Sequence, residues 1–167
     1  MTDSAFEGIL YRKQFFYGPE KAAYPGWKTL SMPDATWLSS HPNLNVMRVD
    51  ENGFIAALIG FLLDPESPAA SDEEILKRLC QKSKSVEDFI ELTAGLGGRW
   101  AILLKFGPSF IVFTDAAATR SVFYHVDHNQ RVWLATQPGL LAEKFGFAES
   151  EESKEFRASP EFTRKVE

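Results

Sequence analysis

Apolar residues run without a break from Phe54 to Leu63 (FIAALIGFLL), behind the polar turn Glu51-Asn52-Gly53 and the mixed stretch Asn45 to Asp50 (NVMRVD). Asn-Gly supplies the positive φ angles of a tight turn, so this pattern predicts a β-hairpin. A second strand that is apolar throughout implies cover on both of its faces. Asp64-Pro65 then ends the strand.

The pattern changes period beyond Ser71. Asp72, Glu73 and Glu74 precede Ile75, Leu76 and Leu79, which predicts a helix with Ser71 as its cap, Glu74 closing a capping box and acids at the positive end of the dipole. A second helix is predicted from Val86 to Leu96, capped by Ser85 and stopped by Gly95, Gly97 and Gly98. Strands are then predicted at Arg99 to Phe106, Ser109 to Asp115, Ser121 to Val126 and Arg131 to Thr136, with turns at Gly107-Pro108 and Asp127 to Gln130. Gln137-Pro138-Gly139 opens a short helix through Phe145.

The N-terminal third is less regular. Phe6 to Tyr17 is aromatic and weakly alternating, as an opening strand is, and Gly18-Pro19 breaks it. Pro25, Pro33 and Pro42 punctuate the segment up to Asn45, which reads as irregular structure with a short helix at Asp34 to Ser40, Asp34 being its cap. Glu149 to Glu167 is polar and reads as a loose tail or linker. Strands, two helices and a strand meander together indicate an α+β domain.

At 167 residues, 44% of them hydrophobic and 14 of them Phe, the chain is one domain's worth of packed core. Its net charge of −5, with cations scattered rather than clustered among aromatics, argues against nucleic-acid binding. The ten-residue apolar run is about half a membrane span, and the N-terminus lacks a secretory pattern. A lone cysteine, Cys80, excludes an intramolecular disulfide. A cytoplasmic location is the expectation.

Leu96 to Tyr124 (LGGRWAILLKFGPSFIVFTDAAATRSVFY) resembles the "L-x-G-x-[FW]-A … D … G-x-[+]-x-[LV]-[FY]-Y" segment of class II glutamine amidotransferases of the asparagine synthetase type. Gly98, Trp100 and Ala101 take the first positions, and Asp115, Arg120, Phe123 and Tyr124 the second. Ser71-Asp72-Glu73-Glu74 resembles the family's "S/T-D-x-E" helix start, and Trp133 to Leu141 resembles its "ASE-x-K-x-L" region. The resemblance spans roughly Asn45 to Gly146. It implies an amidotransferase-like domain over residues 1–146, a linker over 147–167 and a four-layer αββα sandwich of the N-terminal-nucleophile hydrolase type. It also implies an ATP-dependent ligase domain as partner, which this chain is too short to contain. No cofactor is expected.

The family's chemistry needs an N-terminal cysteine whose own α-amine is the base. Here Met1 is followed by Thr2, and the alignment with the family's opening "C-G-I" puts Glu7 in the cysteine's place. Thr2 after processing, or Cys80 among Lys77, Arg78 and Lys82, are the substitute nucleophiles to weigh; a lone cysteine in a helical apolar pattern is also a core residue. The family's oxyanion-hole "N-G-E" falls on Ile59-Gly60-Phe61, which keeps the glycine alone. Arg48 falls near the arginine that grips the glutamine carboxylate, and Asp72 on the acid that binds its amine, though Asp72 also reads as a first-turn helix acid. His41, His125 and His128 suggest no metal site. Asp115 and Arg120 are spaced to close their loop by an ion pair, and Trp100, Phe110, Phe113, Phe123 and Trp133 are expected in the core.

Three functions are open on these grounds: a degenerate amidotransferase domain that supports or docks a ligase; an active amidohydrolase using Thr2 or Cys80; and a plain interaction module, for which a homodimer or exposed apolar surface would speak.

Overall fold

A computed structural model describes residues 11–160 and Phe162. Among these the elements are β1 (Phe15–Gly18), β2 (Lys28–Met32), β3 (Thr36–Ser40), β4 (Val46–Glu51), β5 (Phe54–Leu63), α1 (Asp72–Lys82), α2 (Val86–Thr93), β6 (Gly97–Phe106), β7 (Ser109–Thr114), β8 (Phe123–Val126), β9 (Val132–Ala135), α3 (Pro138–Phe145) and α4 (Glu151–Arg157). The strands form two antiparallel sheets, ordered β2-β3-β1-β9-β8 and β4-β5-β6-β7. The fold class is α+β, as the sequence pattern indicates.

The β4–β5 hairpin turns at Asn52 and Gly53 with φ of 52° and 78°, both positive as a type I′ turn requires. Alternation along β5 then explains its unbroken apolar sequence. Phe54, Ala56, Leu58 and Leu62 pack with Ile75, Leu76, Leu79 and Cys80 of α1 and with Phe89 of α2. Ala57 and Ile59, on the other face, pack with Phe15, Tyr17, Leu38 and Leu134 of the five-stranded sheet. Strand β6 repeats the arrangement, sending Trp100, Ile102 and Leu104 to the helices and Ala101 and Leu103 to the other sheet. The outer face of the five-stranded sheet, through Phe16, Trp133 and Ala135, covers Leu140 and Leu141 of α3. Each large apolar side chain removed from water in these clusters contributes about 1.5–3 kcal/mol before entropy is counted.

The helix starts behave as their sequences predict. Ser71 accepts from Glu74 N at 3.3 Å while Glu74 accepts from Ser71 N at 2.8 Å, a complete capping box. Ser85 caps α2 through Asp88 N at 3.1 Å. Helix α2 ends at Thr93, and Gly97 and Gly98 open β6 instead of stopping the helix.

Several expectations are corrected. Asp34 to Ser40 is no helix: Asp34 and Ala35 lie in a turn with φ of 57° and 56°, and Thr36–Ser40 is a strand paired on both sides. The expected opening strand is confined to Phe15–Gly18 among the described residues. The polar tail contains α4, capped by Ser150 and without a buried residue. The loop after β7 is closed without an Asp115–Arg120 ion pair; Asp115 instead accepts from Ala117 N, Thr119 N and the Thr119 hydroxyl. Phe123 is exposed, whereas Trp100 and Trp133 are buried. No helix among the described residues is long and apolar enough to cross a membrane.

Candidate functional site

Gly60 and Asp72 are brought together, and the residue that joins them is Asn45, just ahead of β4. Its carbonyl accepts from Gly60 N at 2.9 Å, and its side-chain amide donates to Gly60 O at 3.0 Å. The same amide donates to Asp72 Oδ2 at 2.9 Å. The other carboxylate oxygen of Asp72 accepts from Leu62 N at 2.7 Å. The first turn of α1 is thereby tied to the end of β5 through an acid that has a protein donor on each oxygen.

Gly60 has φ of +112°, and a Cβ there would lie 2.0 Å from the Arg99 carbonyl oxygen. The backbone conformation and the closeness of β6 both require glycine. Its N–H points at Asn45 and is not presented to a cleft. Ile59, where the sequence resemblance would set an asparagine, is fully buried between the sheets. An oxyanion hole needs donors aimed at open space where charge develops, and neither residue offers one.

Arg48 stands apart from this group. It pairs across the ladder with Ala57, and its guanidinium binds Asp50 through Nε at 2.7 Å and Nη2 at 2.5 Å. Nη1 donates to Ser31 O of β2 at 2.5 Å. Hydrogen bonding to Asp50 raises its pKa further, outweighing the burial that opposes the charge. This arginine clasps the two sheets at their β2–β4 edge.

Cys80 is fully buried on the inner face of α1. Burial, with Glu51 and Asp50 adding to it, pushes its thiol up to about 11. The neighbouring cations do not counter this: Lys77 pairs with Glu73 at 2.6 Å and Arg78 pairs with Asp64. A thiol held protonated and out of solvent has the surroundings of a core side chain. Thr2 lies outside the described residues.

The histidines serve local packing. His41 Nδ1 accepts from Asn43 N at 3.0 Å, and the His125 ring lies 4.4 Å from that of Phe145. His128 contacts the Asn129 amide at 3.0 Å. Among the described residues no group of three or more His, Cys, Asp or Glu could hold a metal ion.

Two organising residues carry no signature in the sequence. Asn45 reads there only as the first residue of a strand, and its partners lie 15 and 27 positions away. Asp127 reads as a turn residue, yet it accepts from Asn129 N, Arg131 N, Arg131 Nε and Trp133 Nε1 at 2.7–3.0 Å. Compared with protein-family models and with curated proteins, the chain matches none.

Proposed function

We propose that this chain is a catalytically degenerate glutamine-amidotransferase-like domain of an asparagine synthetase-related protein, and that it supports or docks an ATP-dependent ligase domain. The observation that carries this reading is Asn45 bridging Gly60 and Asp72. At the positions where the family would grip glutamine and its oxyanion, Gly60 and Asp72 are engaged with Asn45 and Leu62, and Arg48 with Asp50 and Ser31. The packing order α1 and α2, four-stranded sheet, five-stranded sheet, α3 supports the αββα sandwich that the reading requires. A cytoplasmic setting belongs to the same proposal.

Docking has a surface available to it. Phe123, Tyr124, Val126 and Val132 are exposed on β8 and β9 and border a cleft of about 920 Å³. Adjacent exposed apolar side chains of this kind mark contact faces more often than scattered ones do. The same face also favours the second reading, a stand-alone interaction module that could pair with its own copy.

Incubation of the purified chain with glutamine, beside Thr2→Ala and Cys80→Ala variants, tests the loss of activity. The expected result is no glutamate release above the buffer rate. Release that disappears in either variant would replace the proposal with an active amidohydrolase and name its nucleophile.

A further inference from the structure

A cleft of about 360 Å³ opens where the residues leading into β1 meet the start of β6 and the loop between β7 and β8. Arg12, Lys13, Arg99 and Arg120 all line it, with Ser121 and Gln137 adding neutral polar groups, and among the described residues no Asp or Glu lines it. The whole chain carries a net charge of −5, so this gathering of cations runs against its overall balance. Among the described residues none of the four cations forms an ion pair.

Arg120 is the informative member. It is 8% exposed, its Nε is buried without a hydrogen-bond partner, and Nη1 makes only a long 3.5 Å contact to the Lys13 carbonyl. That contact turns the guanidinium toward the Lys13 side of the cleft. Asp115 attracts it from a distance, but burial and the nearby Arg99 outweigh that attraction and lower its pKa. The Asp115 oxygens are already engaged with Trp100 N, Ala117 N and Thr119. Arg99 uses only Nε, donating to Thr119 O at 3.1 Å.

A buried guanidinium beside a second cation and without a hydrogen-bonded counter-charge is costly. An anion would offset that cost, and the planar fork of arginine suits the oxygens of a phosphate. The cleft has room for one small phosphorylated molecule, and its four cations are fewer than the extended basic surface a nucleic-acid backbone needs. We propose that this cleft binds the phosphate group of a small phosphorylated ligand, held by Arg99 and Arg120 with Arg12 and Lys13 at the exposed rim. The proposal stands on the cleft alone and does not depend on the family reading.

Calorimetric titration with inorganic pyrophosphate at low ionic strength, where surface charge is least screened, tests it. Saturable one-to-one binding is expected, weakened about tenfold by Arg99→Gln or Lys13→Gln through loss of a charge-assisted contact. Lys105→Gln, which removes a cation paired with Asp34 on another face, is expected to leave binding unchanged. Arg120→Gln is expected to weaken binding most; should it fail to fold, the Arg99 and Lys13 variants still decide. Absence of saturable binding, or equal weakening by Lys105→Gln, would overturn the site. Equal affinity for citrate would overturn the assignment to phosphate.

Discussion

The side-chain amide of Asn45 donates to Asp72 Oδ2 at 2.9 Å and to Gly60 O at 3.0 Å, so one residue ahead of β4 fixes both the start of α1 and the end of β5. Asp72 completes the tie by accepting from Leu62 N at 2.7 Å. A helix acid that also receives a strand N–H holds two elements in register. Its contacts are those of a structural bracket.

Asn45→Ala tests that bracket. The substitution leaves Gly60 O and one oxygen of Asp72 without their donor, and because solvent reaches these contacts the loss should be that of ordinary hydrogen bonds, about 0.5–1.5 kcal/mol. Urea unfolding should show a lower midpoint with an unchanged slope. An unchanged midpoint would mean that the bridge contributes nothing to stability.

Gly60→Ala and Gly98→Ala should be among the most damaging single substitutions. Their φ angles are +112° and +113°, and a Cβ would lie 2.0 Å from Arg99 O at one and 2.3 Å from Phe61 O at the other. The obstacles are backbone atoms of the paired strand, so the sheet itself must move. A loss above about 2 kcal/mol is expected from the strained conformation and the overlap together. Gly26→Ala is the control: its φ is also positive, at +73°, but nothing lies within 4 Å of the added atom. Its cost should be about 1 kcal/mol, the conformational part alone. Equal losses at all three positions would show that the close approach of β5 and β6 does not matter.

Cys80 should resist alkylation in the folded protein and react on unfolding. Burial raises its pKa from about 9 to about 11, so the folded chain holds a proton that the unfolded chain releases first. This group's contribution to stability is therefore intact below about pH 9 and declines as pH rises from there toward 11. Iodoacetamide labelling with and without denaturant, at mildly alkaline pH, measures the protection. Rapid labelling of the native chain would place the thiol at the surface and reopen its candidacy as a nucleophile.

What the sequence reveals and what it hides divide along the range of the interactions. The Asn52-Gly53 turn, the Ser71–Glu74 capping box and the Ser85 cap each complete their signature within four residues, and all three form as predicted. The β2–β3 hairpin is the contrary case. Asp34 suits a helix cap as well as a turn, and Pro33 argues for irregularity. What decides is tertiary: Trp37 and Leu38 pair with both β1 and β2, and Leu38 is buried between the sheets. Helix α4 is hidden for the opposite reason, since it has local caps and charges but no buried face. The candidate site is half legible. Gly60 and Asp72 are singled out by the sequence resemblance alone, while Asn45 binds them only through contacts that no local pattern encodes. The cationic cleft draws on the approach to β1, the start of β6, the β7–β8 loop and the residues after β9, so its charges look scattered along the chain and gather only in the fold.

Asp127 gives the sharpest dependence on pH. Its side chain is only 3% exposed, and burial by itself opposes ionisation. The hydrogen bonds from Trp133 Nε1, Arg131 N and Nε, and Asn129 N outweigh that effect and hold the carboxyl well below the usual carboxylate range. A depressed folded-state pKa means that this contribution is present above the unfolded value, about 4, and is lost as pH falls below it. Asp127→Asn offers an amide donor where Arg131 and Trp133 already donate, so it should lower stability near neutral pH. It should also flatten the decline in stability on acidification, because the group that takes up the proton is gone. Urea midpoints followed by circular dichroism from neutral pH down to about pH 3 measure both effects. Parallel curves for the two proteins would show that another carboxylate, with Asp115 the next candidate because Thr119, Trp100 and Ala117 hold its pKa down against burial, governs acid unfolding. A difference that closes as the pH falls would assign that role to the Asp127 carboxylate and to the β8–β9 turn it organises.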